Sequence, residues 1–244
     1  MTDQSQIDII IFCAGRGKRL QPLTDNLPKA LVPVLGVPLL DYHLSALSVV
    51  GVRRVICVTG YKGSQIHDHI LSGHAFGLSV EFAHQVDLRG TGDALVTAIP
   101  LVESEVVGVL YADVFFKRAV DTWKRVLDDR SPKMVCAEVE NAGSFGRVIT
   151  RTVGGGLFLD TVVEKDGISA PGLVNAGLYL LPKDIVTTLG EQPPGRSGEI
   201  ELPQAVVVHS QARHQPVRVV TTQGWADVGT PEGLRCAEAL AASR

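Results

Sequence analysis

Short apolar runs alternate with helix-like stretches along the first 130 residues of the chain. Each run is rich in β-branched residues and is bounded by glycine or by a polar turn, which is typical of a strand. The runs cover residues 8–13, 54–59, 78–84 and 106–111. Because strands that alternate with helices usually pair in parallel, the pattern predicts an α/β fold with a mostly parallel central sheet and helices on both faces.

The helix-like stretches are predicted from apolar residues spaced three and four positions apart. Pro38 can open a helix as its first residue. Three leucines of the following segment then fall on one face: Leu40, Leu44 and Leu47. Further helices in this part of the chain are predicted over residues 63–72, 92–99 and 118–129.

The pattern changes in the second half of the chain. Residues 133–181 predict several consecutive strands with glycine turns between them, and Gly154–Gly156 predicts a hairpin tip. Helices are then predicted over residues 182–189, 199–210 and 231–242, with a strand near 217–221. No internal repeat or low-complexity linker separates the two halves, so we expect one domain in which the second half completes the sheet and covers the pocket.

Charge and apolar content exclude several classes of function. The 244 residues carry 23 basic and 26 acidic side chains, a near-neutral balance that argues against non-specific binding to nucleic acid or to an anionic membrane. No stretch of about 18 apolar residues is present, so no membrane span is expected. The N-terminus lacks the features of a signal peptide, and the cysteines form no CxxC pair. We therefore expect a cytoplasmic protein with reduced thiols.

A glycine-rich segment, AGRGKRLQPLTDNLPKALVP at residues 14–33, follows the first predicted strand directly. In α/β folds a glycine turn at this place lets backbone N–H groups approach a phosphate. Two common phosphate motifs are excluded. The dinucleotide fingerprint would need glycine where Leu20 stands, and the P-loop would need glycine at Phe12 and serine or threonine at Arg19.

The turn that remains is G-x-G-x-R with three cations in or near it. Lys18 and Arg19 lie within the turn, and Lys29 follows it in the sequence. Arginine offers a rigid fork of donors and lysine offers a point charge. Together these cations suit a triphosphate.

Residues 8–40 resemble the signature of the sugar-1-phosphate nucleotidyltransferases, also called NDP-sugar pyrophosphorylases. The apolar strand is followed by AGRGKRLQPLT and then by PKALVPVLGVPLL, which match the two parts of that signature. Over the rest of the chain the resemblance recurs in order at Gln85, Gly90, Thr91, Asp113, Gly146, Glu164, Lys165, Asn175, Glu199 and Asp227. It implies a short, single-domain member of the family over residues 1–244, with a Rossmann-like, glycosyltransferase-A-like fold built on a mixed, mostly parallel central sheet flanked by helices. In that fold residues 1–130 would form the nucleotide-binding half and residues 131–244 the sugar-phosphate-binding half.

The resemblance implies that a sugar-1-phosphate oxygen attacks the α-phosphorus of a nucleoside triphosphate and releases pyrophosphate. The nucleophile is already an anion, so catalysis needs cations and a divalent metal more than a general base. Arg19 and Lys29 match the family's catalytic, phosphate-binding residues. Asp113 and Asp227 match its two metal carboxylates, which would hold Mg²⁺. Taken alone, each aspartate has a simpler interpretation: a surface salt bridge for Asp113 and a helix N-cap for Asp227.

The implied nucleotide site combines the glycine loop with a second segment. Its residues are Ala14, Gly15, Gly17, Lys18, Gln85, Gly90 and Thr91. The side-chain amide of Gln85 offers both a donor and an acceptor, which suits O4 and N3–H of uracil or thymine. UTP or dTTP is therefore the expected nucleotide.

The implied sugar-phosphate site lies in the second half of the chain. Its residues are Gly146, Glu164, Lys165 and Asn175, with Glu199 as a supporting member. The sequence departs from the family pattern at three places: Lys18 replaces serine or threonine, Ala112 replaces glycine, and Pro203-Gln204 replaces threonine-aspartate. These departures leave the exact sugar and base open, with a hexose- or amino-hexose-1-phosphate as the expected acceptor.

Three histidines, His67, His69 and His74, fall on a predicted surface helix and the loop after it. Their spacing matches no standard zinc pattern, so we expect them to be solvated or packed and not to bind a metal. Trp123 shares helical spacing with Val120 and Leu127, which predicts a core residue.

Other functions stay open. A relative that uses GTP or CTP and acts on heptose-1-phosphate or phosphocholine would have the same reaction class. A non-catalytic regulatory subunit would lack the phosphate and metal residues, all of which are present. A glycosyltransferase would carry a D-x-D motif, which YADVF at residues 111–115 lacks. Because the chain ends soon after Asp227, no acyltransferase domain is expected, and a homo-oligomer is suggested only by analogy.

Overall fold

The structure, a computed structural model, describes residues 6–164, 167–195 and 198–243. In chain order its strands are β1 (Asp8–Phe12), β2 (Pro33–Val34), β3 (Val37–Pro38), β4 (Arg54–Thr59), β5 (Ser79–His84), β6 (Val106–Tyr111), β7 (Val114–Phe116), β8 (Lys133–Val139), β9 (Gly146–Val153), β10 (Gly156–Glu164), β11 (Gly172–Pro182), β12 (Arg218–Thr222) and β13 (Trp225–Asp227). The helices are α1 (Leu39–Val49), α2 (Gly63–His69), α3 (Thr91–Ala98), α4 (Ala119–Val126), α5 (Ile185–Glu191), α6 (Leu202–Ala212) and α7 (Pro231–Ala242). A π-helical turn (Ile70–His74) continues α2, and 3-10 turns cover Lys18–Leu20 and Lys29–Leu31.

The first half of the chain forms a parallel sheet in the order β5-β4-β1-β6, as the alternation of strands and helices predicts. β1 lies inside this sheet and is buried on both faces. Ile9 and Ile11 enter the core on one face, and Ile10 enters the core on the other. A strand covered on both sides has apolar residues at successive positions, which explains the unbroken run Ile9–Phe12.

The sheet becomes mixed beyond β6. β11 pairs antiparallel with β6 and β8, β12 pairs parallel with β8, and the β9–β10 hairpin ends the row. Within the described ranges, seven of the nine strands of this sheet point the same way. The mixed, mostly parallel sheet is therefore confirmed, and Gly154 and Gly155 form the predicted hairpin tip.

Helices cover both faces of the sheet. Apolar residues of α1, α2 and α4 fill one core, which contains the fully buried Trp123 as predicted. Residues of α3, α5 and α6 fill the other. α7 packs on the small β7–β13 ribbon through a third core that includes Phe115 and Ala237. Among the described residues, no helix has the length and apolar character needed to cross a membrane.

Several predicted boundaries are wrong. The α-helix predicted over 63–72 gives way to the π-helical turn after His69, and α4 ends at Val126 instead of residue 129. The helix predicted from residue 182 begins at Ile185, because β11 runs on to Pro182. The ribbons β2–β3 and β7–β13 were not predicted, since strands of two or three residues show no periodicity.

The segment before α6 differs for a specific reason. The sequence predicts a helix from residue 199, yet α6 begins at Leu202. Ile200 forms backbone hydrogen bonds with a neighbouring loop: its N–H donates to the Arg89 carbonyl at 2.8 Å, and its carbonyl accepts from the Gly92 N–H at 2.7 Å. These bonds hold residues 199–201 against the loop before α3, which becomes important in the site.

Candidate active site

A cleft of about 760 Å³ opens beside the last residues of β1 and β6. In α/β sheets the carboxyl ends of parallel strands are the usual place for a ligand. The cleft is lined by the glycine loop after β1, the loop between β5 and α3, and the turn after β6. Its lining includes these residues predicted from the sequence: Ala14, Gly15, Gly17, Lys18, Lys29, Gln85, Gly90, Thr91, Asp113 and Glu199.

Thr24 fixes the glycine loop from behind. Its Oγ1 donates a 2.8 Å hydrogen bond to the carbonyl of Gly17. The 3-10 turn Lys18–Leu20 follows. Its last residue, Leu20, is fully buried, while Lys18 and Arg19 are exposed. The loop therefore presents two cations on a fixed backbone.

Lys29 and two aspartates form a cluster at the edge of the cleft. Lys29 and Asp113 line the cleft, whereas Asp227 and the predicted residue Arg19 are not among its lining residues. Lys29 Nζ lies 2.5 Å from Asp113 Oδ2 and 4.0 Å from Asp227 Oδ1. Asp113 follows β6 directly, and Asp227 ends β13. In the β7–β13 ribbon Asp227 stands opposite Val114, and the Val228 N–H donates to the Asp113 carbonyl at 2.8 Å. This ribbon brings two carboxylates that are distant in the sequence to one ammonium.

The two carboxylates differ in pKa. Burial opposes ionisation of Asp113, but the Lys29 ammonium, helped by Arg19, holds the pKa of that carboxyl below its ordinary value. Burial and the negative charge of Asp113 raise the pKa of Asp227. Two carboxylates thus converge on one buried ammonium, with the Arg19 guanidinium also acting on both, and their oxygens can hold a further cation.

The simpler interpretations of the two aspartates do not match the geometry. α7 is capped by Thr230, whose Oγ1 accepts from the Gly233 N–H at 3.1 Å, so Asp227 is not its N-cap. Asp113 does form an ion pair, but its partner Lys29 is buried in the cleft, with 11% of its side chain exposed. Neither aspartate is an ordinary surface carboxylate.

Gln85 is buried, and its amide orientation is fixed by its neighbours. Nε2 donates to Asp93 Oδ2 at 2.8 Å and to the Gly90 carbonyl at 3.2 Å. Arg89 holds the other oxygen of Asp93 at 2.7 Å. Both amide hydrogens are therefore engaged, and Oε1 is the atom that Gln85 can offer to a ligand. The expectation that Gln85 supplies a donor as well as an acceptor is wrong for this arrangement.

Sequence reasoning missed the role of Asp93. The only local signal is its position four residues after Arg89, which is typical of an ion pair on a helix. The contact with Gln85 depends on how α3 packs against the end of β5. It could not be predicted from spacing alone.

Gly90 and Thr91 join the nucleotide side of the cleft to the segment before α6. Gly90 has φ +102°, and a Cβ there would lie 2.6 Å from the Ile200 carbonyl oxygen, so no larger residue fits. The Thr91 hydroxyl accepts from the Leu202 N–H at 3.0 Å. Glu199, which also lines the cleft, is thereby held beside the loop.

Three of the residues predicted for the sugar phosphate, Gly146, Glu164 and Asn175, lie on neighbouring strands outside the lining of this cleft. Gly146 stands opposite Glu164 at the end of the β9–β10 hairpin, and a Cβ at Gly146 would lie 2.7 Å from Glu164 Oε1. Asn175 on β11 accepts from the Gly177 N–H at 3.0 Å. Lys165 falls outside the described residues.

These strands are connected to the Lys29 cluster. Trp225 lies on β13 two residues before Asp227. Its indole N–H donates at 3.0 Å to the carbonyl of Ala176, which follows Asn175 on β11. Burial raises the pKa of Tyr111, which lines the cleft, to about 12, and the charge of Glu164 adds to that shift. The predicted sugar side is therefore adjacent to the cluster.

His43 is a buried residue near the cluster that has no motif in the sequence. Burial lowers its pKa to about 4, and the backbone of Val114 and Ala112 offsets this only in part. The ring is neutral at pH 7, so it adds no positive charge beneath Asp113.

Comparisons with known proteins place these observations in a family. A family model described as "Nucleotidyl transferase" matches residues 8–244. The chain is 29% identical to the "Bifunctional sugar-1-phosphate nucleotidylyltransferase/acetyltransferase" of Sulfurisphaera tokodaii over 91% of its own length and 52% of that protein. It is 28% identical to the "UTP--glucose-1-phosphate uridylyltransferase AglF" of Haloferax volcanii, over 91% of each chain.

The likeness extends to the fold. A solved structure of a UDP-glucose pyrophosphorylase in complex with UDP-glucose superposes with a TM-score of 0.82 over 96% of this chain and 97% of that chain, at 22% identity. The chain spans about half the length of several curated relatives it matches, the bifunctional ones among them.

Proposed function

The chain belongs to the nucleotidyl transferase family, and from this premise we propose that it transfers a nucleotidyl group from a nucleoside triphosphate to a sugar-1-phosphate and releases pyrophosphate. The observation that carries the proposal is the cluster in which Asp113 and Asp227 share Lys29 beside the glycine loop. Joining two polyanions requires groups that cancel their repulsion, and the cleft concentrates such groups.

The cations of the chain have separate tasks in this reaction. Arg19 and Lys18 lie exposed on the glycine loop, where they can bind the outer phosphates of the triphosphate. Lys29 is buried beside Asp113, so its ammonium is directed to the reacting centre, where negative charge is greatest. The sugar-phosphate oxygen is already anionic, so positioning and charge neutralisation account for most of the catalysis.

Mg²⁺ fits the donor set at the cluster. Asp113 and Asp227 offer hard carboxylate oxygens, which Mg²⁺ prefers, and phosphate oxygens and water would complete the coordination. The β7–β13 ribbon holds the two side chains beside one ammonium, and Asp227 Oδ1, 4.0 Å from Lys29 Nζ, is beyond hydrogen-bond range of that ammonium and can act as an oxygen ligand. When bound, Mg²⁺ would supply charge neutralisation at the phosphates.

The orientation of Gln85 bears on the base. Its Oε1 acceptor can pair with N3–H of uracil or thymine, which favours UTP or dTTP. The name of the Haloferax volcanii relative supports UTP. Cytosine presents an acceptor at N3 and a donor only at its N4 amino group, so an Oε1 that faces N3 disfavours CTP. Guanine presents an N–H donor at N1, which makes GTP the second candidate.

The acceptor that we propose is a hexose- or amino-hexose-1-phosphate, with heptose-1-phosphate or phosphocholine as alternatives. Gly146, Glu164 and Asn175 support a polar sugar site beside the cluster, because a carboxylate and an amide can bond sugar hydroxyls. A non-catalytic regulatory role would not require the charged cluster, whose groups are all in place.

A pyrophosphate-release screen tests this proposal. Purified protein with Mg²⁺ is offered each of ATP, CTP, GTP, UTP and dTTP together with a panel of sugar-1-phosphates and phosphocholine. We expect release with UTP or dTTP and a hexose-type phosphate, and loss of release in Lys29→Met. Lys133→Met is the matched control, because Lys133 also contacts two aspartates but lies outside the cleft lining. Absence of release from folded protein with every pair would contradict catalysis.

A further inference from the structure

Asp41, His69 and His74 form a second cluster, remote from the active cleft. Their ligand atoms, a carboxylate oxygen and two imidazole nitrogens, all lie within 4.8 Å of one another. His69 Nε2 is 2.6 Å from Asp41 Oδ1, and His74 Nδ1 is 3.0 Å from Asp41 Oδ2. Among the residues that the structure describes, it is the one such group that combines three potential metal ligands.

The π-helical turn after α2 creates this convergence. Gly73 adopts φ +112°, which glycine tolerates best, and the chain folds back so that His74 returns over His69. The two imidazole rings stack with centroids 4.2 Å apart and planes 23° apart. Both rings therefore direct a nitrogen to the same carboxylate. His67, on the same helix, packs instead against Phe82 at 3.7 Å, as predicted for a packed histidine.

The negative charge of Asp41 is almost buried and needs positive charge nearby. Its side chain is 6% exposed, and the described partners are the two imidazoles. Imidazole N–H groups can donate hydrogen bonds to a carboxylate, but a buried carboxylate also needs positive charge nearby. The N-terminal turn of α1, where Asp41 lies, compensates part of it. A bound divalent cation would compensate the rest.

Contrary to the expectation from histidine spacing, we propose that Asp41, His69 and His74 bind a divalent transition-metal ion of the Zn²⁺ class. Two imidazole nitrogens and one carboxylate oxygen are ligands that suit Zn²⁺ and neighbouring ions, whereas Mg²⁺ prefers oxygen alone. Bonds of about 2.0–2.2 Å in a tetrahedral site place ligand atoms about 3.3 Å apart. The nitrogen–oxygen separations of 2.6 and 3.0 Å are shorter than this value, so the imidazoles would have to move slightly away from the carboxylate to admit the ion. His74, 46% exposed, is free to make the remaining adjustment.

A fourth position is accessible from solvent. Asp41 and His74 line a cavity of about 890 Å³ between α1, α4 and the end of α7. This cavity and the active cleft share no lining residue among those described. Water from the cavity can complete the coordination of an ion held by three side chains.

The ion would connect α1 to α2, which contacts the residues just after the glycine loop. These contacts lie at the start of α2: Gln65 Nε2 donates to the Asn26 carbonyl at 3.0 Å, and the Tyr61 hydroxyl donates to the Thr24 carbonyl at 3.2 Å. A metal at the other end of α2 would hold the helix against α1. The expected result is a more stable protein in the presence of the metal.

Metal titration of chelator-treated protein tests the proposal. Zn²⁺ binding is measured by calorimetry, and Co²⁺ is used as a spectroscopic probe of nitrogen and oxygen coordination. We expect one equivalent of Zn²⁺ on the wild type and on His67→Gln, the matched control from the same helix. His74→Gln and Asp41→Asn should bind it at least about 100-fold more weakly. At a concentration 100 times Kd, Zn²⁺ should raise Tm by about 5–10 °C for a chain of this size.

Two controls separate binding from other effects. His74 is half-exposed, so His74→Gln should keep the metal-free Tm and circular dichroism of the wild type. Zn²⁺ could instead bind at Asp113 and Asp227, and Asp113→Asn detects this alternative. The proposal would be overturned if Asp113→Asn failed to bind the one equivalent of Zn²⁺ while His74→Gln still bound it. The lack of a stoichiometric site on the wild type would also overturn it. Either result would overturn the site at Asp41 without contradicting nucleotidyl transfer, which the pyrophosphate-release screen tests separately.

Discussion

Lys29 and Lys133 are both buried lysines that contact two aspartates, yet the surroundings of the two ammonium groups differ. The Lys133 side chain is fully buried, and its Nζ lies 2.6 Å from Asp129 Oδ1 and 3.0 Å from Asp128 Oδ1. The backbone carbonyls of Asp129 and Ser131 also accept from it, at 3.1 and 3.4 Å. All these acceptors come from the turn just before β8.

Lys29 has its carboxylates from distant parts of the chain and faces a cleft. Asp113 Oδ2 is at 2.5 Å, while Asp227 Oδ1 at 4.0 Å is beyond hydrogen-bond range. An ammonium has three hydrogens, so Lys133 can engage all of its donors within its own turn. Lys29 keeps donors for a ligand. The comparison shows that the same residue types stabilise a turn when they are saturated locally and can bind substrate when they are not.

The largest expected difference is in kcat, when one carboxylate is removed from the Lys29 cluster and one from the Lys133 cluster. Asp113→Asn should lower kcat by about 10²–10³-fold, because a charge that positions cations at the reacting phosphate is lost. Asp128→Asn, the matched control, should leave kcat unchanged, since Asp128 lies half-exposed beside Lys133. Steady-state kinetics on protein of confirmed fold measures both. Near-wild-type turnover by Asp113→Asn would remove the proposed distinction.

Replacement of each lysine should separate stability from activity. Lys133→Met should lower the free energy of unfolding by about 1–3 kcal/mol, because several acceptors lose a charged donor. This corresponds to a fall in Tm of about 2–4 °C per kcal/mol. Lys29→Met should instead abolish most activity with a smaller change in Tm. Urea unfolding and steady-state kinetics give the free energy of unfolding and kcat for both variants. Equal loss of unfolding free energy in the two variants would contradict the comparison.

Replacement of Asp93 should change the choice of nucleotide without changing turnover of the preferred one. In Asp93→Asn the new amide can donate to Gln85, so that the Gln85 amide turns and offers Nε2 to the base. The ratio of kcat/KM for UTP over CTP should fall about 10-fold. Asp87→Asn is the control, since Asp87 lines the same cleft. An unchanged ratio would show that Gln85 does not select the base.

The smallest expected effect is on acid stability. The hydrogen bonds from Lys133 and Ser131 lower the pKa of Asp129 to about 2. A depressed folded pKa contributes stability above the unfolded pKa of about 3.9 and loses it as the pH falls toward 2. Because 53% of the Asp129 side chain is exposed, screening limits this contribution to about 1 kcal/mol or less.

Unfolding free energies at pH 5 and pH 2.5 check this prediction. Asp129→Asn should lose less stability on acidification than the wild type, because its side chain does not titrate. Asp160→Asn, an exposed aspartate on β10, is the control and should behave as the wild type. A steeper loss in Asp129→Asn than in the wild type would contradict the assigned pKa.

Much of the fold could be predicted because its elements carry local patterns. β1, β4 and β6 follow the predicted runs closely, since strands buried on both faces are apolar and are bounded by turns. The half-exposed edge strand β5 also matches its predicted run. Boundaries failed where a tertiary contact overrides propensity. Residues 199–201, which have a helical pattern, are held extended by the loop before α3.

The sequence by itself determined the glycine loop, its cations and the parallel half of the sheet. These depend on residues that are neighbours in the chain, so their spacing records them. Only the tertiary structure decided which distant side chains meet. The β7–β13 ribbon joins Asp113 to Asp227, and the turn after α2 directs His69 and His74 to Asp41. Such contacts depend on sheet order and on very short elements, which leave no periodic signal in a sequence.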